Sequence, residues 1–282
     1  MSLLLQTPRA VVRRLVRPGA PSPLRDRVVL VTGASSGIGE ATARLVAGAG
    51  ATVLLVARRG EVIGGLADEL VAAGGRAAAY PCDLTDGDAV DALVEQVLAE
   101  HGGVDYLVNN AGRSIRRSLR DSHDRFHDFE RTMAINYFGP VRLTMGLLPT
   151  MRAQRFGHVV NIVSWGVQLK APRFAAYLAS KSALDTWARV AARETWDDNV
   201  TFTNMRFGVV QTPMLATSAQ HYRGLPSLTA DQAAVRVVRA LEDRPVSWNI
   251  AAGRAGDALN LVAPRLADYV MARSGRGDRH AG

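Results

Sequence analysis

The sequence predicts an α/β fold, a single doubly wound domain whose mostly parallel seven-stranded sheet carries helices on both faces. Two patterns lead there. From Arg27 onwards, short apolar, β-rich runs alternate with longer helical stretches. That alternation implies parallel strands joined by crossover helices. The first run, residues 28–32, also leads directly into a glycine-rich turn and then a helix.

Taken in chain order, strands are expected at 28–32, 52–57, 77–82, 106–109, 158–163, 201–207 and 248–251. Helices are expected at 39–49, 61–73, 86–101, 126–151 and 175–194, the last carrying Tyr177 and Lys181. Residues 1–25 read as a basic leader, with Arg9, Arg13, Arg14 and Arg17 among apolar positions and a break at Pro18, Pro21 and Pro23. A disordered or surface-packed tail is the favoured reading of that leader, and an amphipathic helix lying on a membrane is the alternative. Residues 26–254 make up the main domain, and 255–282 an amphipathic helix with a tail. In that last segment Leu259, Leu261, Val262, Leu266, Tyr269 and Val270 fall between polar positions over 255–273. Packing on the main domain is its default role; covering a substrate channel, touching a membrane or joining subunits are the others.

The 282 residues are 48% hydrophobic and 21% charged, an ordinary balance for a globular protein able to bury a full core. The single cysteine, Cys82, excludes an internal disulfide and fits a reducing compartment. No apolar run approaches the roughly 20 residues that span a bilayer, and residues 1–5 are too short for a signal-peptide core. A cytoplasmic protein is expected. The net charge of +8 calls for an anionic partner. Nucleic acid is not expected, because zinc-finger spacing, a basic zipper and an aromatic-rich basic strand are all lacking. Phosphorylated small molecules and anionic membrane surfaces remain. Arginine supplies nearly all of the 34 basic residues, Lys170 and Lys181 being the lysines, and this bias also fits gene composition without functional meaning.

The turn after the first strand reads Gly33-Ala34-Ser35-Ser36-Gly37-Ile38-Gly39. Gly33 permits the tight turn, Gly37 lets backbone approach a pyrophosphate, and Gly39 lets the helix pack closely, as in a dinucleotide-binding Rossmann domain. Where NAD-binding chains carry an acid about 20 residues further on, this chain has Arg58. An arginine there meets a 2′-phosphate, which favours NADP(H); alternatively Arg58 and Arg59 simply solvate a strand end. Asp83, followed by Leu84, can accept a hydrogen bond from an adenine amino group. Asn109-Asn110-Ala111-Gly112 puts small residues where a nicotinamide ribose approaches backbone. All these positions fall at the carboxyl ends of strands, where open parallel sheets bind ligands.

Tyr177 and Lys181 are four residues apart on one helix, hence on one face. A phenol beside a fixed ammonium has its anion favoured, so the pKa of Tyr177 is expected to fall towards working pH. Such a tyrosine passes a proton to or from a substrate oxygen. The same pattern arises by chance in many helices, so its weight comes from its companions.

Those companions make the chain resemble the short-chain dehydrogenase/reductase family over roughly residues 27–214. The matching residues are Thr32-Gly33-x-x-x-Gly37-Ile38-Gly39, Asn109-Asn110-Ala111-Gly112, Asn136, Ser164 and Tyr177-x-x-x-Lys181, in family order. The resemblance implies that Tyr177 is the general acid/base and that Ser164 hydrogen-bonds the substrate carbonyl. It also implies that Lys181 holds the nicotinamide ribose and that Asn136 supports a proton-relay water. Phe207-Gly208 departs from the family's usual Pro-Gly; Thr212, which resembles the family's nicotinamide-amide contact, follows a loop whose path Phe207 can alter.

Within the family, residues 104–118, 125–132, 164–168 and 172–177 look most like bacterial long-chain fatty acyl-CoA reductases. This implies a lipophilic substrate, an acyl-CoA reduced to a fatty aldehyde by NADPH. Cys82 is poorly placed to form an acyl-enzyme. Arg113, Arg116, Arg117 and Arg120 can meet CoA phosphates or form a solvated basic face. Trp165 and Phe174 can line an acyl channel or belong to the core. A ketone or 3-oxoacyl reductase, or an alcohol dehydrogenase, would use the same reacting residues. A non-catalytic NADP-binding regulator would not need them. His123 and His127 share a metal-site spacing, but without a third ligand no metal is expected. Partner expectations end with a homo-oligomer and peripheral membrane contact through the basic termini.

Overall fold

The structure is a computed structural model that describes residues 21–216, 222 and 224–274. The greater part of the expected leader, 1–20, and the tail beyond 274 lie outside the described residues.

Seven described strands form one sheet, and every pairing in it is parallel. They are β1 (Val28–Thr32), β2 (Thr52–Ala57), β3 (Arg76–Pro81), β4 (Tyr106–Asn109), β5 (Gly157–Ser164), β6 (Val200–Phe207) and β9 (Ser247–Asn249). Their order is β3-β2-β1-β4-β5-β6-β9, so the chain reverses direction between β1 and β4. A two-stranded ribbon absent from the sequence expectation, β7 (Val209–Gln211) with β8 (Ser227–Thr229), stands at the end of β6.

Alternation along each strand sorts side chains into two cores. Val29 and Val31 join the cluster on one face of β1, and Leu30 joins the cluster on the other. A polar row crosses this apolar sheet. Asn109, Asn161 and Asn204 are in register on β4, β5 and β6, and they bond in series: Asn109 Nδ2 to Asn161 Oδ1 at 2.9 Å, Asn161 Nδ2 to Asn204 Oδ1 at 3.1 Å. Asn204 Nδ2 then reaches the Asp185 carbonyl at 2.8 Å. Each such bond contributes about 1 kcal/mol net, and removing one member costs more because its partner stays buried. The row ties three central strands to the helix that carries Tyr177.

Helices α1 (Gly37–Gly48), α2 (Gly60–Ala72) and α3 (Gly87–His101) follow the first three strands. The expected single helix at 126–151 is interrupted. α4 (His127–Met133) runs into a wider π turn over Ala134–Phe138, and α5 (Gly139–Ala153) continues from it. Pro140 has no N–H to give to the Asn136 carbonyl, and Gly139 N–H bonds five residues back to Ala134 O. A side chain at Gly139 would collide with the Leu84 carbonyl, so this turn packs directly under the strand-3 loop.

After β5 come the short α6 (Gly166–Leu169) and the long α7 (Ala175–Glu194). α8 (Pro213–Ala216) follows β7, and α9 (Ala230–Asp243) starts with a capping box between Thr229 and Gln232. The expected helix over 255–273 is instead two helices, α10 (Ala251–Val262) and α11 (Pro264–Ser274). Pro264 cannot continue the first and opens the second. Among the described residues no helix is long and apolar enough to cross a membrane.

Candidate active site

A cleft of about 1710 Å³ opens at the carboxyl ends of the central strands. Its floor on one side is the glycine turn. Gly33 and Gly37 have φ of +66° and +59°, backbone that side chains rarely adopt. A Cβ on Gly33 would come within 2.9 Å of Ala111 Cα, and one on Gly37 within 3.1 Å of Thr212 Cγ2. Gly39 sits behind the turn against the Gly33 carbonyl and does not line the cleft. Ser36 makes no side-chain cap on α1, leaving the first N–H groups of that helix directed at the cleft.

Thr32 fastens the next loop to this turn. Its Oγ1 accepts from the N–H groups of Asn110 and Ala111, each at 3.0 Å, and Asn110 Nδ2 donates to the Thr32 carbonyl at 2.9 Å. Ser35, Ser36, Ile38, Asn110, Ala111 and Gly112 consequently share one wall.

Arg58, Asp83 and Leu84 lie at the rim of the same cleft. Arg58 projects into solvent with its guanidinium 4.0 Å from the Asp83 carboxylate. Burial alone would push the Asp83 carboxyl up. Hydrogen bonds from Thr85 N and Oγ1 and the Arg58 charge outweigh it and hold the group below its ordinary pKa. Sequence reasoning assigned the phosphate to Arg58 and weighed Arg59 only as solvating a strand end, yet Arg59 Nη2 donates to both the carbonyl and the hydroxyl of Ser35 at 3.0 Å. The signal was the tandem itself, since two adjacent residues leaving a strand end diverge and either can face the turn.

Ser164, Tyr177 and Lys181 meet where β5 ends beside α7. The Ser164 hydroxyl accepts from Gly166 N–H at 3.1 Å and lines the cleft together with Tyr177. Lys181 Nζ donates to the Ile162 carbonyl at 2.8 Å. Asn136, on the π turn, is fully buried behind them rather than in the cleft lining. Its Nδ2 reaches Ser180 Oγ at 2.9 Å and the Arg113 carbonyl at 2.8 Å, while its Oδ1 accepts from Arg113 N–H at 2.8 Å. A Cβ on Gly112 would stand 2.9 Å from Asn136 Oδ1 and 3.3 Å from Lys181 Nζ, so only glycine leaves room there.

The expectation that Tyr177 has a lowered pKa is overturned. Burial pushes its phenol up to about 12, against a smaller downward pull from the Ser164 hydrogen bond. Lys181 does not offset this, because its ammonium is drawn to the Ile162 carbonyl and burial itself brings it down to about 8. The Tyr177 phenol is therefore held in its protonated form.

The remaining wall is apolar. Trp165, Leu169, Phe174, Leu178, Leu215 and Met271 line it, so Trp165 and Phe174 face the cleft rather than the core alone. Met271, on α11 beyond the break at Pro264, was not expected here. Of the four arginines considered for CoA, Arg113 and Arg116 line the cleft. Arg117 instead bonds to the buried Asp128 carboxylate at 2.9 Å, and Arg120 lies outside the lining. Phe207 is buried against Trp248, ring centroids 5.0 Å apart, and its carbonyl accepts from Trp165 N–H. Cys82 lines the cleft but its thiol is pushed up to about 11 by burial, so it is a poor nucleophile. Among the described residues no group of His, Cys, Asp and Glu is gathered to hold a metal.

Residues 27–223 match the family described as short chain dehydrogenase. An uncharacterized oxidoreductase of Mycobacterium tuberculosis is 47% identical over 254 residues, 89% of this chain and 74% of the relative. A fatty acyl-CoA reductase of Acinetobacter baylyi is 44% identical over 248 residues, covering 88% and 84% respectively. A metagenomic short-chain oxidoreductase, solved in complex with NADP, superposes with a TM-score of 0.67 at 31% identity, covering 80% of this chain and 100% of that one. Sequence, sheet order and these relatives agree: the chain belongs to the short-chain dehydrogenase family, oxidoreductases that bind a nicotinamide cofactor.

Proposed function

We propose that the protein reduces a long-chain acyl-CoA to a fatty aldehyde and free CoA with NADPH. The observation that carries this reading is that Ser164 and Tyr177 line the cleft together with an apolar wall of Trp165, Leu169, Phe174 and Met271. Such a wall suits an alkyl chain and gives a polar substrate few partners. The relative named a fatty acyl-CoA reductase, 44% identical over most of both chains, supports it.

The residues present fit a dinucleotide phosphate. The space above Gly33 and Gly37 is closed to any Cβ but open to a ligand, and α1 points its uncapped N–H groups into it. Arg58 and Arg59 line the cleft beside the turn and would meet a 2′-phosphate, with Arg59 held to the turn through Ser35. Lys181 and the backbone around Gly112 would hold the nicotinamide ribose. Thr212, against Gly37, is within the same cradle. When bound, NADPH supplies the hydride that the thioester carbon takes.

The chain's own groups then handle charge and proton. A thioester oxygen seated between Ser164 Oγ and Tyr177 Oη accepts two hydrogen bonds, which strengthen as negative charge grows on it. With its pKa raised to about 12, Tyr177 holds the proton until that oxygen becomes the stronger base, then passes it over. Lys181, cationic below about pH 8 and donating to the Ile162 carbonyl, would bring its charge to the ribose side of the site. The carbon–sulfur bond next breaks, its electron pair leaves with sulfur, the carbonyl re-forms, and a proton completes the thiol. The sum is acyl-CoA, NADPH and one proton giving aldehyde, CoA and NADP⁺. Measuring thiol release alongside NADPH oxidation tests this against reduction of a ketone, which consumes NADPH and frees no thiol.

A further inference from the structure

Among the described residues, the C-terminal helices leave one face uncovered. Leu261 and Val262, at the end of α10, are 84% and 81% exposed. On α11, Leu266, Tyr269, Val270 and Arg273 recur at helical spacing and are also exposed. The opposite side of the same hairpin is fixed to the body. Gly253 and Gly256 allow α10 to lie directly on Gln168 and Leu169 of α6, where any Cβ would collide. Gln168 Nε2 also donates to Asp257 at 2.5 Å, Asn260 Nδ2 donates to the Gln168 carbonyl at 2.9 Å, Ala267 is buried, and Met271 lines the cleft. The exposed stripe is thus held rigidly, one helix thickness from the apolar wall of the site.

We propose that this hairpin docks on an anionic lipid surface and sets the cleft beside it. Charge decides for lipid over a second copy of the chain. Arg254, Arg265 and Arg273 are exposed around the stripe, and the Arg273 guanidinium lies 4.7 Å over the Tyr269 ring. Of the two acids in the hairpin, Asp257 is tied to Gln168, and helical spacing puts Asp268 on the side away from Leu266 and Val270. A two-fold contact through the stripe would turn Arg265 and Arg273 of two copies towards each other, a repulsive arrangement. A phosphate-bearing surface neutralises them, while Leu261, Val262 and Leu266 enter the acyl boundary and Tyr269 sits at headgroup level. The net charge of +8 adds long-range attraction.

The test is co-sedimentation of the full chain with phosphatidylcholine vesicles, with and without phosphatidylglycerol. It reads binding, not turnover, so it stands or falls separately from the acyl-CoA proposal. Binding is expected to the phosphatidylglycerol vesicles, to weaken in high salt, and to drop by at least about tenfold in L261E/V262E and in R265S/R273S. NADPH affinity should be unchanged in both variants, which reports that they fold. Sedimentation only at the wild-type level in both variants would assign the lipid contact to another part of the chain and overturn the proposal. No binding to either vesicle would do the same, as would a wild-type dimer that L261E/V262E splits into monomers.

Discussion

The Lys181 ammonium donates to the carbonyl of Ile162 at 2.8 Å, two residues before Ser164 on the same strand. That contact holds the lysine under the sheet end, and burial brings its pKa down to about 8. Turnover that relies on a cationic Lys181 should fall as pH rises through about 8. The folded-state pKa lies below the unfolded value of about 10.5, so the unfolded chain binds more protons between the two. The stability term is present above the unfolded value and lost as pH falls through about 8. Thermal stability of the wild type should therefore gain with pH across that window relative to Lys181→Met, by up to roughly 3 kcal/mol. Parallel pH profiles for the two proteins would contradict the assignment.

Tyr177→Phe removes the proton donor and keeps the ring between Ser164 and Phe174. Turnover should fall by roughly 10²–10⁴-fold while NADPH binding, read by fluorescence titration, stays within error. Activity near the wild-type level would remove Tyr177 from the chemistry.

Arg58→Asp and Arg59→Asp test the phosphate end separately. A charge-assisted contact is worth about 1.5–3 kcal/mol, so each loss should raise the KM for NADPH roughly tenfold or more and leave that for NADH nearly unchanged. If only Arg59→Asp responds, the contact at Ser35 identifies the phosphate-side arginine.

Gly256→Val forces a branched side chain into Leu169, where even a Cβ collides. Overpacking of this kind costs typically 1–3 kcal/mol, and thermal unfolding should register it as a lowered Tm. Gly64→Ala on α2, where a Cβ meets open space, should leave Tm level or slightly raised.

The strands and the glycine turn were legible in the sequence because their causes are local. Val28-Val29-Leu30-Val31-Thr32 can be buried on both faces only inside a parallel sheet, and Gly33 and Gly37 hold a backbone that other residues resist. The family motifs gave the relative positions of Ser164, Tyr177 and Lys181 for the same reason. What stayed hidden depends on distant packing. The π turn at Asn136 needs Pro140 together with the approach of Gly139 to Leu84. The raised pKa of Tyr177 depends on how deeply the ring is buried and on Lys181 turning to Ile162, neither of which spacing encodes. Met271 reaches the cleft from a separate helix that starts at Pro264, and a hydrophobic period read straight through that proline concealed it.

The most direct test of the proposed activity is a stoichiometric one on the purified full chain. Palmitoyl-CoA and NADPH are supplied, and NADPH oxidation, thiol and fatty aldehyde are measured together. The account predicts that the three appear in equal amounts and that all stop in Tyr177→Phe. NADPH oxidation with ketones but no thiol release from acyl-CoAs of any chain length would contradict it.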